Sequence, residues 1–161
     1  MKPISRSTLL RVGKLLTDPT NGGIPDETIV RDANRAATDP RNVLGHYVLL
    51  SETGKGGTAT VYRAYDRTLQ RIVAVKVIPI ENLPQENTRR LQGEFVAMAR
   101  LRHPNIVSVF DCGIEDERLY CAMEWMEGHS LHDAVRKGPF DPRRAVEIVR
   151  DIAGALDAAH R

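Results

Sequence analysis

The spacing of apolar residues changes along the chain, and each change marks an element. Over the first 45 residues apolar positions are sparse. Leu9, Leu10, Val12, Leu15 and Leu16 fit one face of a short helix starting near Ser7. Asp18 to Pro25 is dense in turn formers, and a polar stretch runs on to Pro40. Residues 1–45 therefore read as an N-terminal tail or linker, with a regulatory docking helix as the alternative.

From residue 46 the period shortens. Tyr47–Leu50 and Thr60–Tyr65 read as strands separated by a glycine-rich turn, and Asp66–Leu69 as the connection into Ile72–Ile78. The last of these is rich in β-branched residues, which suit a pleated, buried surface, and Pro79 ends it. Between Glu86 and Arg102, the residues Leu91, Phe95, Met98 and Leu101 recur at helical spacing. Two more strands are expected at Ile106–Phe110 and Leu119–Met123, around a turn containing Asp111, Gly113 and Asp116. A short helix over Leu131–Arg136 follows. A final one begins where Asp141 offers an N-cap and Pro142 an N1 residue. Five short strands and one helix imply an α+β unit, an antiparallel sheet covered by that helix.

Composition narrows the classes without choosing among them. The chain has 161 residues, 42% hydrophobic and 27% charged, as in ordinary globular proteins. A net charge of +2 suggests no nucleic-acid partner. No stretch approaches the ~20 apolar residues that cross a bilayer. Arg6, Arg11 and Lys14 interrupt the apolar residues after Met1, so no signal peptide is expected and a cytoplasmic location is. An anchor elsewhere in a longer parent protein stays open. Cys112 and Cys121 lack metal-ligand spacing and read as reduced thiols, a disulfide between them being the alternative.

Three features carry candidate chemistry. In Gly54-Lys55-Gly56-Gly57-Thr58-Ala59-Thr60-Val61 the missing side chains let backbone approach phosphate oxygens. The strand that follows argues against a dinucleotide fingerprint, which needs a helix there, and a Walker ending is absent. The pattern fits G-x-G-x-x-G-x-V, with Ala59 at the third glycine. Lys76 alternates with apolar residues in its strand. Buried without an anion it is costly, although an edge-strand lysine that discourages aggregation reads the same way. Glu94 lies 18 residues on, at the border of the apolar stripe between Leu91 and Met98, where it can reach Lys76 or simply meet solvent.

Taken together, Gly54–Val61, Val73-Ala74-Val75-Lys76, Glu94, Leu101-Arg102-His103-Pro104-Asn105-Ile106-Val107 and Met123-Glu124-Trp125-Met126-Glu127-Gly128 resemble successive landmarks of a bacterial-type serine/threonine protein kinase. The resemblance covers residues 46–161. It implies a kinase-like small lobe and hinge over 46–128, with a five-stranded antiparallel sheet and one helix. The start of an incomplete helical lobe would follow over 129–161. It implies ATP, its α- and β-phosphates held by Lys76, which Glu94 positions through an ion pair. Gly54, Gly56 and Gly57 would cover the phosphates, and Val61 and Ala74 would pack on adenine. Met123 is then the gatekeeper. Glu124 and Met126 offer backbone groups to the adenine edge, and Ser130 stands where the family contacts ribose. Met98 and Val109 match two members of the family's hydrophobic spine.

The departures matter as much. H-R-D-x-x-x-x-N, D-F-G and A-P-E do not occur in the 161 residues. His160-Arg161 resembles the start of H-R-D but is read as the end of the preceding helix. The ligands for the magnesium that the complete family enzyme uses, and the catalytic aspartate, are therefore missing from this sequence. The chain is expected to carry the ATP-binding half of a kinase that phosphorylates protein substrates, and to be inactive alone. A non-catalytic nucleotide- or partner-binding module, or an inert remnant, is the alternative. Ala145, Ile148, Val149, Ile152, Leu156 and Ala159 line one side of helix 142–161, a surface for self-association or a partner.

Overall fold

β-branched and aromatic residues at alternating positions build six strands: β1 (Val43–Leu44), β2 (Tyr47–Lys55), β3 (Thr60–Asp66), β4 (Arg71–Pro79), β5 (Val109–Glu115) and β6 (Arg118–Glu124). In this computed structural model they form one antiparallel sheet in the order β1-β2-β3-β4-β6-β5. The structure describes residues 26–82 and 85–160, apart from the side chains of 82–90 and 92. The helix expected near Ser7 and the turn-rich stretch 18–25 lie outside the described residues.

The inner face of the sheet carries a tight apolar cluster. Leu44, Tyr47, Leu49, Ala64, Val73, Val75, Val77, Tyr120 and Ala122 cluster there, all at most 9% exposed. The Tyr47 and Tyr120 rings meet edge to face at 5.9 Å, and both hydroxyls donate to Asp111 Oδ2, at 3.5 and 3.2 Å. Arg118 donates to the carbonyls of Arg41 (2.6 Å) and Val43 (3.0 Å), holding the β5–β6 hairpin to the start of β1 and the chain just ahead of it. A Cβ on Gly113 would lie 2.8 Å from the Tyr120 hydroxyl, so this strand position must be glycine.

Two turns set the register. Between β3 and β4 the buried Asp66 carboxylate accepts from the Thr68 and Leu69 amides, both at 3.0 Å, and Gln70 adopts φ 49°. Between β5 and β6 only Asp116 and Glu117 intervene, both with positive φ (46° and 57°), as a two-residue hairpin requires.

The stretch before residue 46 differs from the linker expected there. Helix α1 (Glu27–Ala36) is capped by Asp26, and Ala33 (1% exposed) packs with Val48 and Tyr65, flanked by Ile29, Val30, Ala36, Leu50 and Ile72. Few large apolar residues were needed, because a short helix on a sheet buries only one narrow stripe. The strand expected at 106–110 is displaced: β5 begins at Val109, since Ile106 and Val107 follow a tight turn at His103. Helix α2 (Gln85–Arg100) packs against β5, with Leu91 and Phe95 buried.

Gly22–Arg100 with Val109–Trp125 makes one compact unit. Leu101–Ser108 and Met126–Arg161 belong to a second, which holds α3 (Leu131–Arg136) and α4 (Pro142–His160). Asp141 caps α4, accepting from the Arg143 amide at 3.0 Å. The His103 ring nitrogen Nδ1 accepts from the Asn105 amide (3.1 Å), and the Asn105 side chain donates to the Asp151 carbonyl in α4 (3.4 Å). Ile148 and Ala155 are the buried positions of α4, whereas Val149 and Leu156, expected in the same stripe as Ile148, are 65% and 37% exposed.

Two outcomes follow. Ala33→Asp would force a carboxylate between α1 and the sheet and should cost about 3 kcal/mol. A urea midpoint equal to that of the parent would show α1 undocked in solution. Burial, then the Asp111 charge, pushes Tyr120 up to about 12 from its ordinary 10.0. The folded value is the raised one. The stabilisation is therefore intact below pH ~10 and lost as pH climbs toward 12, where the unfolded chain ionises first. Tyr120→Phe should flatten this alkaline loss in denaturant midpoints between those values.

Candidate functional site

Directly paired residues of an antiparallel sheet share a face. Gly54 pairs with Val61, Val61 with Lys76, Lys76 with Cys121, and Cys121 with Cys112. These five residues form one row across the outer face of the sheet, from the glycine-rich turn to β5. The neighbouring row on that face is Ala74–Met123–Val109, all at most 8% exposed. The expected adenine-packing residue and gatekeeper thus lie side by side, one strand pleat from Lys76.

The glycine turn joins β2 to β3 and closes with Gly56 N–H donating to the Ala59 carbonyl at 2.8 Å. A Cβ on Gly54 or Gly57 would meet nothing within 4 Å, and one on Gly56 only the Ala59 carbonyl at 3.5 Å. None of the three has positive φ. The chain itself does not require glycine here. Open space over exposed backbone is what an approaching phosphate needs.

Lys76 is half-buried, and its ammonium is held below the usual lysine range. The cause is burial, partly opposed by the Cys121 sulfur beside it. A desolvated cation beside an open glycine turn fits an anionic ligand. Glu94, next to the buried Phe95 in α2, is exposed.

Glu124, the last residue of β6, pairs with Val73. Arg63 of β3 stands over the Trp125 ring at 5.9 Å. Met126 and Ser130 belong to the second unit. There the Ser130 hydroxyl caps α3, accepting from the Asp133 amide at 3.1 Å and donating to the Asp133 carboxylate. That bond holds Asp133 below the usual carboxylate range. His160 is the last residue of α4.

The sequence reading of Cys112 and Cys121 as reduced thiols, with a disulfide between them as the alternative, did not place them opposite each other. They are free thiols facing across the β5–β6 hairpin. The signal was available, because each lies four residues from its end of the Asp116–Glu117 turn. The groove of about 560 Å³ beside α1, with Ile29, Asp32, Arg35 and Arg63 in its wall, contains none of the expected site residues. Among the described residues no group of three or more histidines, cysteines or carboxylates is arranged to hold a metal ion. No helix among them is long and apolar enough to cross a membrane.

Residues 47–161 match the family described as protein kinase domain. The chain is 37% identical over 123 residues to the serine/threonine-protein kinase PrkC of Bacillus subtilis, covering 75% of this chain and 19% of that protein. It is 41% identical over 118 residues to PknD of Mycobacterium tuberculosis, covering 72% and 18%. Among solved structures, the PknI kinase domain of Mycobacterium tuberculosis superposes with a TM-score of 0.62 at 33% identity, over 74% of this chain and 50% of that one. The chain thus spans about a fifth of the length of these curated relatives.

Burial of Lys76 opposes its charge, so the folded chain should gain from losing it. Lys76→Met is expected to leave the thermal midpoint unchanged or to raise it when no ligand is present. A drop of several degrees would show the ammonium paired in the free protein.

Proposed function

Because the chain belongs to the protein kinase domain family, we propose that it binds ATP for phosphoryl transfer to serine or threonine of a protein substrate. The half-buried Lys76, in one row with the open glycine turn, carries this reading. Lys76 holds the α- and β-phosphates, and Glu94 orients it once α2 brings the carboxylate near. Gly54, Gly56 and Gly57, with no side chains in the way, let the backbone of this turn cover the phosphates. Val61 and Ala74 pack on adenine, with Met123 behind it. The Glu124 carbonyl accepts from the adenine edge and the Met126 amide donates to it. Ser130 contacts ribose.

The division into a tail, a nucleotide-binding part over 46–128 and the start of a helical part over 129–161 belongs to the same proposal. The docking of α1 favours extending the middle part back to about residue 26. A cytoplasmic location follows from the use of ATP. Magnesium supplies charge neutralisation between the β- and γ-phosphates in this chemistry. The segments that would ligate it, and the aspartate that orients the acceptor hydroxyl, are not among these 161 residues.

Titration with a fluorescent ATP analogue tests the binding half. Weak binding that is largely independent of magnesium is expected, and Lys76→Met should reduce it about tenfold or more. Gly54→Val should weaken it too while leaving the unfolding free energy from urea titration within about 0.5 kcal/mol. Binding that both variants retain in full would overturn the assignment. With radiolabelled ATP and generic protein acceptors, the 161-residue chain should show no transfer above background. Robust transfer abolished by Lys76→Ala would mean that these residues hold a base and a metal site of their own.

A further inference from the structure

We propose that Cys112 and Cys121 are a covalent modification site, closing to a reversible disulfide when the protein meets hydrogen peroxide. The two are direct partners across the β5–β6 hairpin, and their sulfurs stand 3.2 Å apart as free thiols. Residues directly opposed on antiparallel strands have Cα atoms ~4.5–5.5 Å apart, whichever type of pair they make. That range lies inside the ~4.4–6.8 Å that a disulfide spans. Closing the sulfurs to ~2.05 Å needs side-chain rotation of two unbranched residues and no shift of register.

The two sulfurs are unequal in the way such chemistry needs. Cys112 is half-buried, within reach of a small oxidant, whereas Cys121 is 0% exposed. The sulfur–sulfur hydrogen bond holds the Cys112 thiol below the ordinary range and, with burial, pushes Cys121 up. Lys76, the other neighbour of Cys121 in the row, favours negative charge on it. Cys112 is therefore the thiolate that attacks, and Cys121 the resolving thiol.

The steps balance. The Cys112 thiolate attacks one peroxide oxygen; an S–O bond forms, the O–O bond breaks, and hydroxide leaves with the other oxygen. The Cys121 sulfur then attacks the Cys112 sulfur. An S–S bond forms, the S–O bond breaks, and the Cys121 proton leaves with the departing hydroxide as water. Two thiols are oxidised and one peroxide is reduced to two waters. A dithiol reductant reverses the result by exchange. Buried cysteines often serve only as small apolar residues. A facing pair with one member open to solvent has a reaction that a lone buried thiol lacks.

The test uses the whole chain with no nucleotide, so its outcome is independent of the ATP reading. The reduced protein is treated with hydrogen peroxide, alkylated, and digested with trypsin without reduction. Cleavage after Arg118 separates the two cysteines into peptides 103–118 and 119–136. The expected result is a linked pair of these peptides from monomeric protein, with the thiol count falling from two to zero and returning after dithiothreitol. In Cys121→Ala, checked for native circular dichroism, Cys112 should instead be trapped as a sulfenic acid by dimedone. Two alkylatable thiols after treatment would overturn the proposal. So would Cys112 sulfinic acid with Cys121 still free, or linkage only between chains.

Discussion

A lysine set among apolar residues in a central strand constrains the rest of the unit. β4 is paired on both sides, so it has no free edge, and its alternation sends Val73, Val75 and Val77 inward and Ala74 and Lys76 outward. A slip of one residue would turn the Lys76 ammonium into the cluster of Tyr47, Leu49 and Tyr120, and the valines onto the face where Ala74 and Ile78 are now packed. An unpaired charge there costs several kcal/mol, and the packing of both faces is lost at the same time. The register is therefore fixed from two directions, by the valine core inside and by the charge outside. The Asp66 turn before β4 and the two-residue turn before β6 agree with it. Because Lys76 cannot move off its row, neither can Val61, Cys121 or the glycine turn paired to them.

How legible this was in the sequence depends on how much burial each element carries. β4 was read as Ile72–Ile78 and found as Arg71–Pro79, since a β-branched run closed by proline has few other uses. The glycine turn and Lys76 were also legible, because strand alternation and hairpin order place them on neighbouring strands. Ala74 beside Met123 was not, since β4 pairs with β6 rather than with the strand that follows it. Helix α1 was not. Its sequence is mostly polar, and only Ile29, Val30, Ala33 and Ala36 touch the sheet, a stripe too narrow to outweigh the polar residues around it. The Asp26 cap was its one local signal. Ile106-Val107 misled in the opposite sense: two β-branched residues read as strand, while the His103 ring accepting the Asn105 amide had already turned the chain.

The cysteine pairing shows a different limit. Pairing across a hairpin follows from the position of its turn, and a two-residue turn usually announces itself with Asn-Gly or Asp-Gly. Here Asp116-Glu117 takes the left-handed conformation at both residues without a glycine. The strain is offset by the closure it permits: Gly113 under the Tyr120 ring, and Arg118 on the carbonyls of Arg41 and Val43. Long-range contacts thus chose a turn that local propensity would not, and the facing of Cys112 and Cys121 is a consequence of that choice.

Two kinds of glycine in the same sheet separate what the fold needs from what a ligand needs. Gly113 admits no side chain, because the Tyr120 ring occupies the space a Cβ would take, and Gly45 has φ 57° with the Glu115 carboxylate 3.2 Å from where its Cβ would be. Both are explained within the chain. Gly54 and Gly57 are not: space is open around them, their φ values are ones any residue adopts, and a glycine in a strand or turn costs about 0.5–1 kcal/mol in chain entropy. Lys76 is similar, a cation whose burial opposes its charge. Each is a small loss of stability with no return inside the described chain. Gly54 and Lys76 lie in one row and Gly57 in the turn at its end, and an anion drawn to that row would offset them together. The same logic explains why the Asp66 carboxylate, though more deeply buried than Lys76, reads as structure: the amides of its own turn satisfy it.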